Sequence, residues 1–160
     1  ENTEKICPGV DTKGSDSSML YNTIEFLTMN GMDMPLAMMI AIPEPWNNNK
    51  KISENKKNMY RYYSTMMEPW DGPASILLSD GDQVGAILDR NGLRPSRYYI
   101  TDDDRLILSS EVGVLDIDES TIVKKSRLQP GKMLLIDLKQ GRVIADNELK
   151  EYYANRYPYG

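Results

Sequence analysis

The hydrophobic period of this chain changes once, near Pro69. Before that point apolar residues recur at helical spacing. After it they fall into short runs separated by Gly and Asp, the pattern of strands and tight turns. Helices first and strands second imply an α+β fold, with helices laid on antiparallel sheet rather than alternating with parallel strands. The 160 residues fit one domain by size, 40% of them are apolar, and no Gly/Ser-rich linker or internal repeat divides them.

Local signals place the elements. Leu20, Ile24 and Leu27 share one helix face, with Ser15 or Asp16 as the cap and Gly31 as the stop. A second helix is expected from Pro35 through Leu36, Met39 and Ile40, ending before Pro43. Residues 47–52 form a polar loop, after which Ser53 caps a third helix through Met59, Tyr62, Tyr63 and Met66. The Met clusters of this half read as adaptable core packing. Hairpins are expected around Asp80-Gly81 and around Asp102-Asp103-Asp104. Further strands are expected at Ile122-Val123, Met133–Ile136 and Arg142–Ile144, and Asp146 as the cap of a last helix through Leu149, Tyr152 and Tyr153.

Composition removes several kinds of chemistry. There is no His, so no imidazole base, Ser-His-Asp triad or imidazole metal site is possible within these residues. One Cys, Cys7, allows neither an internal disulfide framework nor a Cys-rich zinc site. A net charge of −5 and a pI near 4.8 argue against a nucleic-acid backbone as partner. No apolar run approaches the roughly 20 residues a membrane helix needs. The polar start, without Met or a signal-peptide core, suggests a processed chain or an excised piece of a longer one.

Few residues invite a functional reading. Cys7 precedes Pro8 and has only Lys5 nearby, so it reads as an ordinary thiol. The Asp triplet lacks the spacing and final Glu of a calcium loop and reads as a solvated turn. Asp16, within Gly14-Ser15-Asp16-Ser17, stands where a helix begins. It can cap that helix, or its carboxylate can hold a ligand ammonium while the adjoining helix N-terminus receives a carboxylate, as an amino acid would require. Asp89-Arg90-Asn91-Gly92-Leu93-Arg94-Pro95 admits two readings, a turn with Asp89 paired to Arg90 or Arg94, or an anion site at the two Arg.

Longer strings narrow the choice. Met67-Glu68-Pro69-Trp70-Asp71-Gly72-Pro73-Ala74 resembles the glutaminase region of the glutamate synthase large-subunit family. So do Leu88–Tyr99, Ser109-Ser110-Glu111-Val112-Gly113-Val114-Leu115 and Leu128-Gln129-Pro130-Gly131-Lys132, in the same order. Gly14-Ser15-Asp16-Ser17 and Pro43-Glu44-Pro45-Trp46 match as well, so the resemblance runs from about Pro8 to near the end.

That resemblance implies a class II glutamine amidotransferase domain, an N-terminal-nucleophile hydrolase with an αββα sandwich, of which this chain is a C-terminal part. In such a domain the first residue is a Cys whose own α-amino group is the base, a logic suited to a chain without His. It hydrolyses L-glutamine, and the ammonia passes to 2-oxoglutarate for reductive glutamate synthesis. Asp16 matches the family Asp that binds the substrate α-amino group. The nucleophile and the oxyanion-hole Asn-Gly lie upstream of the Gly-Ser-Asp-Ser element, so no catalytic residue is assigned here and Asn91-Gly92 is not given that role. The resemblance further implies FMN and an iron–sulfur cluster for the parent enzyme but no cofactor or metal in this segment. It implies the remaining synthase domains and a small electron-transfer subunit as partners, and a cytoplasmic location. The isolated chain is expected to be inactive and to self-associate through exposed apolar surface and strand edges. The alternative reading is a non-enzymatic binding or subunit-interaction module on the same fold.

Overall fold

The computed structural model describes residues 9–160, so Cys7 lies outside the described residues. These residues form two compact units. One is the described part of Glu1–Trp70 with Glu151–Gly160; the other is Asp71–Lys150. The division falls where the hydrophobic period changes and, a second time, inside a helix.

The first unit is helical. Helix α1, Asp16–Met29, is capped by Ser15, whose hydroxyl accepts the Ser18 N–H at 3.3 Å. It ends in a Schellman turn. The Gly31 N–H donates to the Thr28 carbonyl and the Met32 N–H to the Leu27 carbonyl, with Gly31 at φ +87°. Helix α2, Met34–Ala41, begins one residue before Pro35, which occupies a first-turn position where its missing N–H costs no bond. Every residue from Pro35 to Ala41 is buried, so α2 is the core of this unit, whereas α1 buries none of its residues fully. Helix α3, Glu54–Ser64, is capped by Ser53 and buries Lys56, Met59, Tyr60 and Tyr63. It stops two residues short of Met66, which is exposed; Met38, Met39 and Met59 are buried in the core of this unit.

The C-terminal residues of this unit are held by polar contacts. Lys56 pairs with Glu151 at 3.1 Å, Asn55 donates to Asn155 at 2.7 Å, and Arg156 reaches Asp33. Burial pushes the Tyr153 phenol well above its usual range, and the nearby Asp33 carboxylate pushes it further.

The second unit holds seven strands in two antiparallel sheets. Strands β1 (Ser75–Ser79), β2 (Gln83–Leu88), β6 (Met133–Asp137) and β7 (Arg142–Ile144) form a four-stranded sheet in the order β1-β2-β6-β7. Strands β3 (Arg97–Thr101), β4 (Leu106–Ser109) and β5 (Ile122–Arg127) form the second, in the order β4-β3-β5. A short 3₁₀ turn, Glu119–Thr121, precedes β5. Ala86, Leu88 and Leu134 of the first sheet meet Tyr98 of the second, with Leu128 closing the same core. This is the α+β class with facing antiparallel sheets that a partial amidotransferase sandwich requires.

Helix α4, Asp146–Ala154, begins at Asp146, which is its first helical residue and not the expected cap. The Asp146 carboxylate instead reaches sideways. It accepts the Met133 N–H at 2.9 Å and pairs with Lys150 at 2.9 Å and Lys132 at 3.0 Å. Lys150, 1% exposed, also donates to the Gly131 carbonyl at 2.8 Å. Burial pushes the Asp146 carboxyl up, but the Lys150 charge and the hydrogen bonds from Lys150, Met133 and Lys132 outweigh it. The group therefore stays below its usual value.

Candidate functional site

Ser15 satisfies the cap of α1, so Asp16 does not have to. The sequence Gly14-Ser15-Asp16-Ser17 places the hydroxyl one residue ahead of the acid. Ser15 stays extended (φ −69°, ψ 159°) and takes an orphan N–H, while its hydroxyl shares a 3.1 Å hydrogen bond with that of Ser17. Asp16 then stands in the first turn, exposed, beside the positive end of the helix. A carboxylate in solvent next to unsatisfied N–H groups can receive a ligand ammonium, and the N–H groups can receive a ligand carboxylate.

The turn after β2 is built differently. Asp89 is 2% exposed. One carboxylate oxygen accepts the Ala74 N–H at 3.1 Å; the other accepts the N–H groups of Asn91 (2.8 Å) and Gly92 (3.2 Å). Its carbonyl accepts the Gly92 and Gly131 N–H groups. Asp89 is thus paired with backbone, contrary to the expected ion pair with Arg90 or Arg94. The reason is burial: three backbone N–H donors satisfy the carboxylate without bringing a guanidinium into the core. Arg90 turns outward to Asp71 at 3.0 Å, both side chains largely in solvent, and Arg94 is exposed. Arg90 is thus engaged by Asp71 in a solvent-exposed pair. Gly92 sits at φ +60°, and a Cβ there would lie 2.5 Å from Pro130 Cγ. The Asn-Gly pair is therefore a packing requirement of this turn.

Other strings also serve the fold. The Glu44 carboxylate is buried and accepts the Tyr60 hydroxyl at 3.3 Å, and Trp46 stacks on the Tyr60 ring. The Trp70 N–H donates to the Ala41 carbonyl at 2.7 Å. In the Asp triplet, Asp104 takes a left-handed conformation (φ 61°), and Asp103 accepts the Thr101 hydroxyl and pairs with Arg105 at 2.7 Å. The triplet is a turn, as its spacing implies. The Arg105 and Thr101 hydrogen bonds hold the Asp103 carboxyl below its usual value. Among the described residues, no group of three acids or thiols is placed to hold a metal ion. No helix among them is long and apolar enough to cross a membrane.

An exposed acid at a capped helix start, and an Asp-Arg-Asn-Gly turn locked by its own acid, lie on a sequence that matches one family over residues 1–160, the class-II glutamine amidotransferases. The chain belongs to that family. Among curated relatives, this amidotransferase chain is 53% identical over 99% of its length to the glutamate synthase [NADPH] large chain of Bacillus subtilis. It is 48% identical over 99% to the glutamate synthase [NADH] of Schizosaccharomyces pombe. It is 47% identical over 98% to the chloroplastic ferredoxin-dependent glutamate synthase of Oryza sativa. The chain spans about a tenth or less of the length of these relatives, 10%, 8% and 10% respectively.

Two structural details of this amidotransferase segment were not read from the sequence. The Asp89 bonds to Asn91 and Gly92 follow from its place in the turn, but the bond from Ala74, 15 residues away, has no sequence signal. The Asp146–Lys150 pair did have one, an acid four residues before a base on a helix.

Proposed function

We propose that these residues form the substrate-holding part of a glutamine-hydrolysing domain in a glutamate synthase. The whole domain converts L-glutamine to glutamate and ammonia. The ammonia is passed on to 2-oxoglutarate for reductive glutamate synthesis in other domains. The observation that carries this reading is the exposed Asp16 carboxylate beside a helix N-terminus whose cap Ser15 already provides. The ligand such a pair suits is an amino acid, ammonium to Asp16 and carboxylate to the helix N–H groups. Membership of the amidotransferase family supports glutamine as that amino acid.

The attacking thiol and the oxyanion donors come, on this reading, from residues outside these 160. Cys7 is the sole thiol of these residues and has no His among them to serve as its base. An iron–sulfur cluster needs several Cys thiolates, and one Cys does not supply them. The cluster is therefore assigned to other domains of the parent protein, and FMN, which the same reading implies, is assigned there with it.

The test is ammonia release from L-glutamine, measured on the 160-residue chain and on the full-length protein that contains it. The full-length protein is expected to be active and the chain alone inactive. Release by the chain alone at the full-length rate, unchanged by Cys7→Ala, would contradict the reading.

A further inference from the structure

The chain contains two Asn-Gly bonds, Asn30-Gly31 and Asn91-Gly92. Such a bond carries its own reactivity. The glycine nitrogen, on losing its proton, attacks the asparagine Cγ. The new C–N bond closes a succinimide, and the Cγ–Nδ2 bond breaks to release ammonia. Water then opens the ring at either carbonyl, leaving Asp or isoaspartate where Asn stood. Glycine favours the attack because it has no Cβ to obstruct it and its backbone turns freely. A fold that keeps the amide must therefore hold the glycine proton and restrict that freedom.

The two bonds are held differently. At the end of α1 the Gly31 N–H donates to the Thr28 carbonyl at 3.0 Å, and nothing lies within 4 Å of where a Gly31 Cβ would stand. At the turn after β2 the Gly92 N–H meets Asp89 twice, a carboxylate oxygen at 3.2 Å and the carbonyl at 3.1 Å. The carboxylate opposes loss of that proton, since a second negative charge would form beside the first at a residue only 2% exposed. The same oxygen accepts the Asn91 N–H at 2.8 Å, so the backbone is tied on both sides of the Asn91 side chain. Gly92 also lies against the Pro130 ring, and the Gly131 N–H donates to the Asp89 carbonyl at 2.9 Å. All of these contacts lie within one compact unit and converge on a buried carboxylate. They do not depend on what the rest of a longer protein lays over the turn.

We propose that Asn91 is a latent site of self-modification and that Asp89 keeps it from reacting, so that succinimide closure proceeds only through opening of the Asp89 turn. The turn could not absorb the product. An isoaspartate lengthens the main chain by one methylene where Gly92 already touches Pro130. Either product also adds a carboxylate two residues from that of Asp89. This inference does not depend on glutamine hydrolysis.

The test uses the full-length protein that contains these residues, incubated at mildly alkaline pH both folded and in urea. Mass spectrometry of the peptides holding Asn30 and Asn91 follows the conversion of amide to acid. Both bonds are expected to react in urea. In the folded protein Asn91 is expected to react about tenfold more slowly than in urea, or slower still, because closure waits on a local opening. Asp89→Asn keeps the shape of the side chain and removes its charge. In protein that retains the native circular dichroism, it is expected to speed the reaction at Asn91 severalfold and to leave that at Asn30 unchanged. Should this variant not fold, hydrogen exchange at the Gly92 N–H of the unaltered protein takes its place, slowed at least as much as the reaction at Asn91. The proposal is overturned by an Asn91 that does not react even in urea, or that reacts as fast folded as unfolded. It is equally overturned by a folded Asp89→Asn variant that reacts no faster at Asn91 or speeds both bonds alike. Rapid exchange at the Gly92 N–H beside an unreactive Asn91 would place the restraint outside the Asp89 bond and overturn it too.

Discussion

Asp16 and Asp89 are both carboxylates at the ends of regular elements, and their surroundings are opposite. At the start of α1 a neighbouring hydroxyl takes the capping duty and the acid stays in solvent. At the end of β2 the acid is buried, and both its oxygens are consumed by the N–H groups of its own turn and of Ala74. The difference separates a group spent on the fold from one the fold does not use, to which the proposed function gives the ligand. Removing the first is expected to cost stability, and removing the second to cost binding alone.

The largest effect is expected from Asp89→Ala. Three N–H donors lose their acceptor in a buried turn, a loss of about 3–5 kcal/mol, on the scale of a broken buried charge network. Urea or thermal unfolding of the chain measures it. A loss below ~1 kcal/mol would mean that water replaces the carboxylate and that the contrast with Asp16 is only apparent.

Gly92→Ala tests the same turn through its backbone. The left-handed conformation costs about 1–2 kcal/mol for a residue with Cβ, and the overlap with Pro130 adds strain. A total of roughly 2–4 kcal/mol is expected. Asn91→Ala, one residue earlier, keeps the N–H that Asp89 accepts and serves as the mild control.

The Asp146 network gives a pH signature. Its folded pKa lies below the ordinary 3.8, so the stability it contributes is present above the unfolded value and is lost as pH falls through the folded one. Thermal melts across the acid range are expected to decline over that interval, and Asp146→Asn to remove that part of the decline. At neutral pH the same variant also leaves the buried Lys150 without its carboxylate, so it is less stable there too.

Much of the helical part of this architecture was legible in the sequence because its causes are local. Ser15 and Ser53 cap within three residues, Gly31 ends α1 by its own backbone, and Pro35 sits in a first turn. The hairpins at Asp80-Gly81 and at the Asp triplet were equally local. The full length of β5 was hidden, since Lys124 and Lys125 break the apolar pattern while β3 holds the strand in place. The pairing of β2 with β6 and the role of Asp89 join residues distant in the chain, and spacing carries no sign of them. At Asp16 the sequence left capping and ligand binding open. The structure assigns the cap to Ser15, and the binding role rests on the proposal above.

Asp16→Asn is expected to change stability by less than about 0.5 kcal/mol, as an exposed substitution that leaves the cap intact. The decisive measurement uses the same variant in the full-length protein, comparing glutamine-dependent with ammonia-dependent glutamate formation. A lost charged hydrogen bond to the substrate ammonium predicts a rise of about tenfold or more in the glutamine KM. Ammonia-dependent formation should stay near its original rate and the melting temperature should not move. A glutamine KM that stays put, or two activities that fall together with the melting temperature, would contradict the assignment of Asp16 to the substrate.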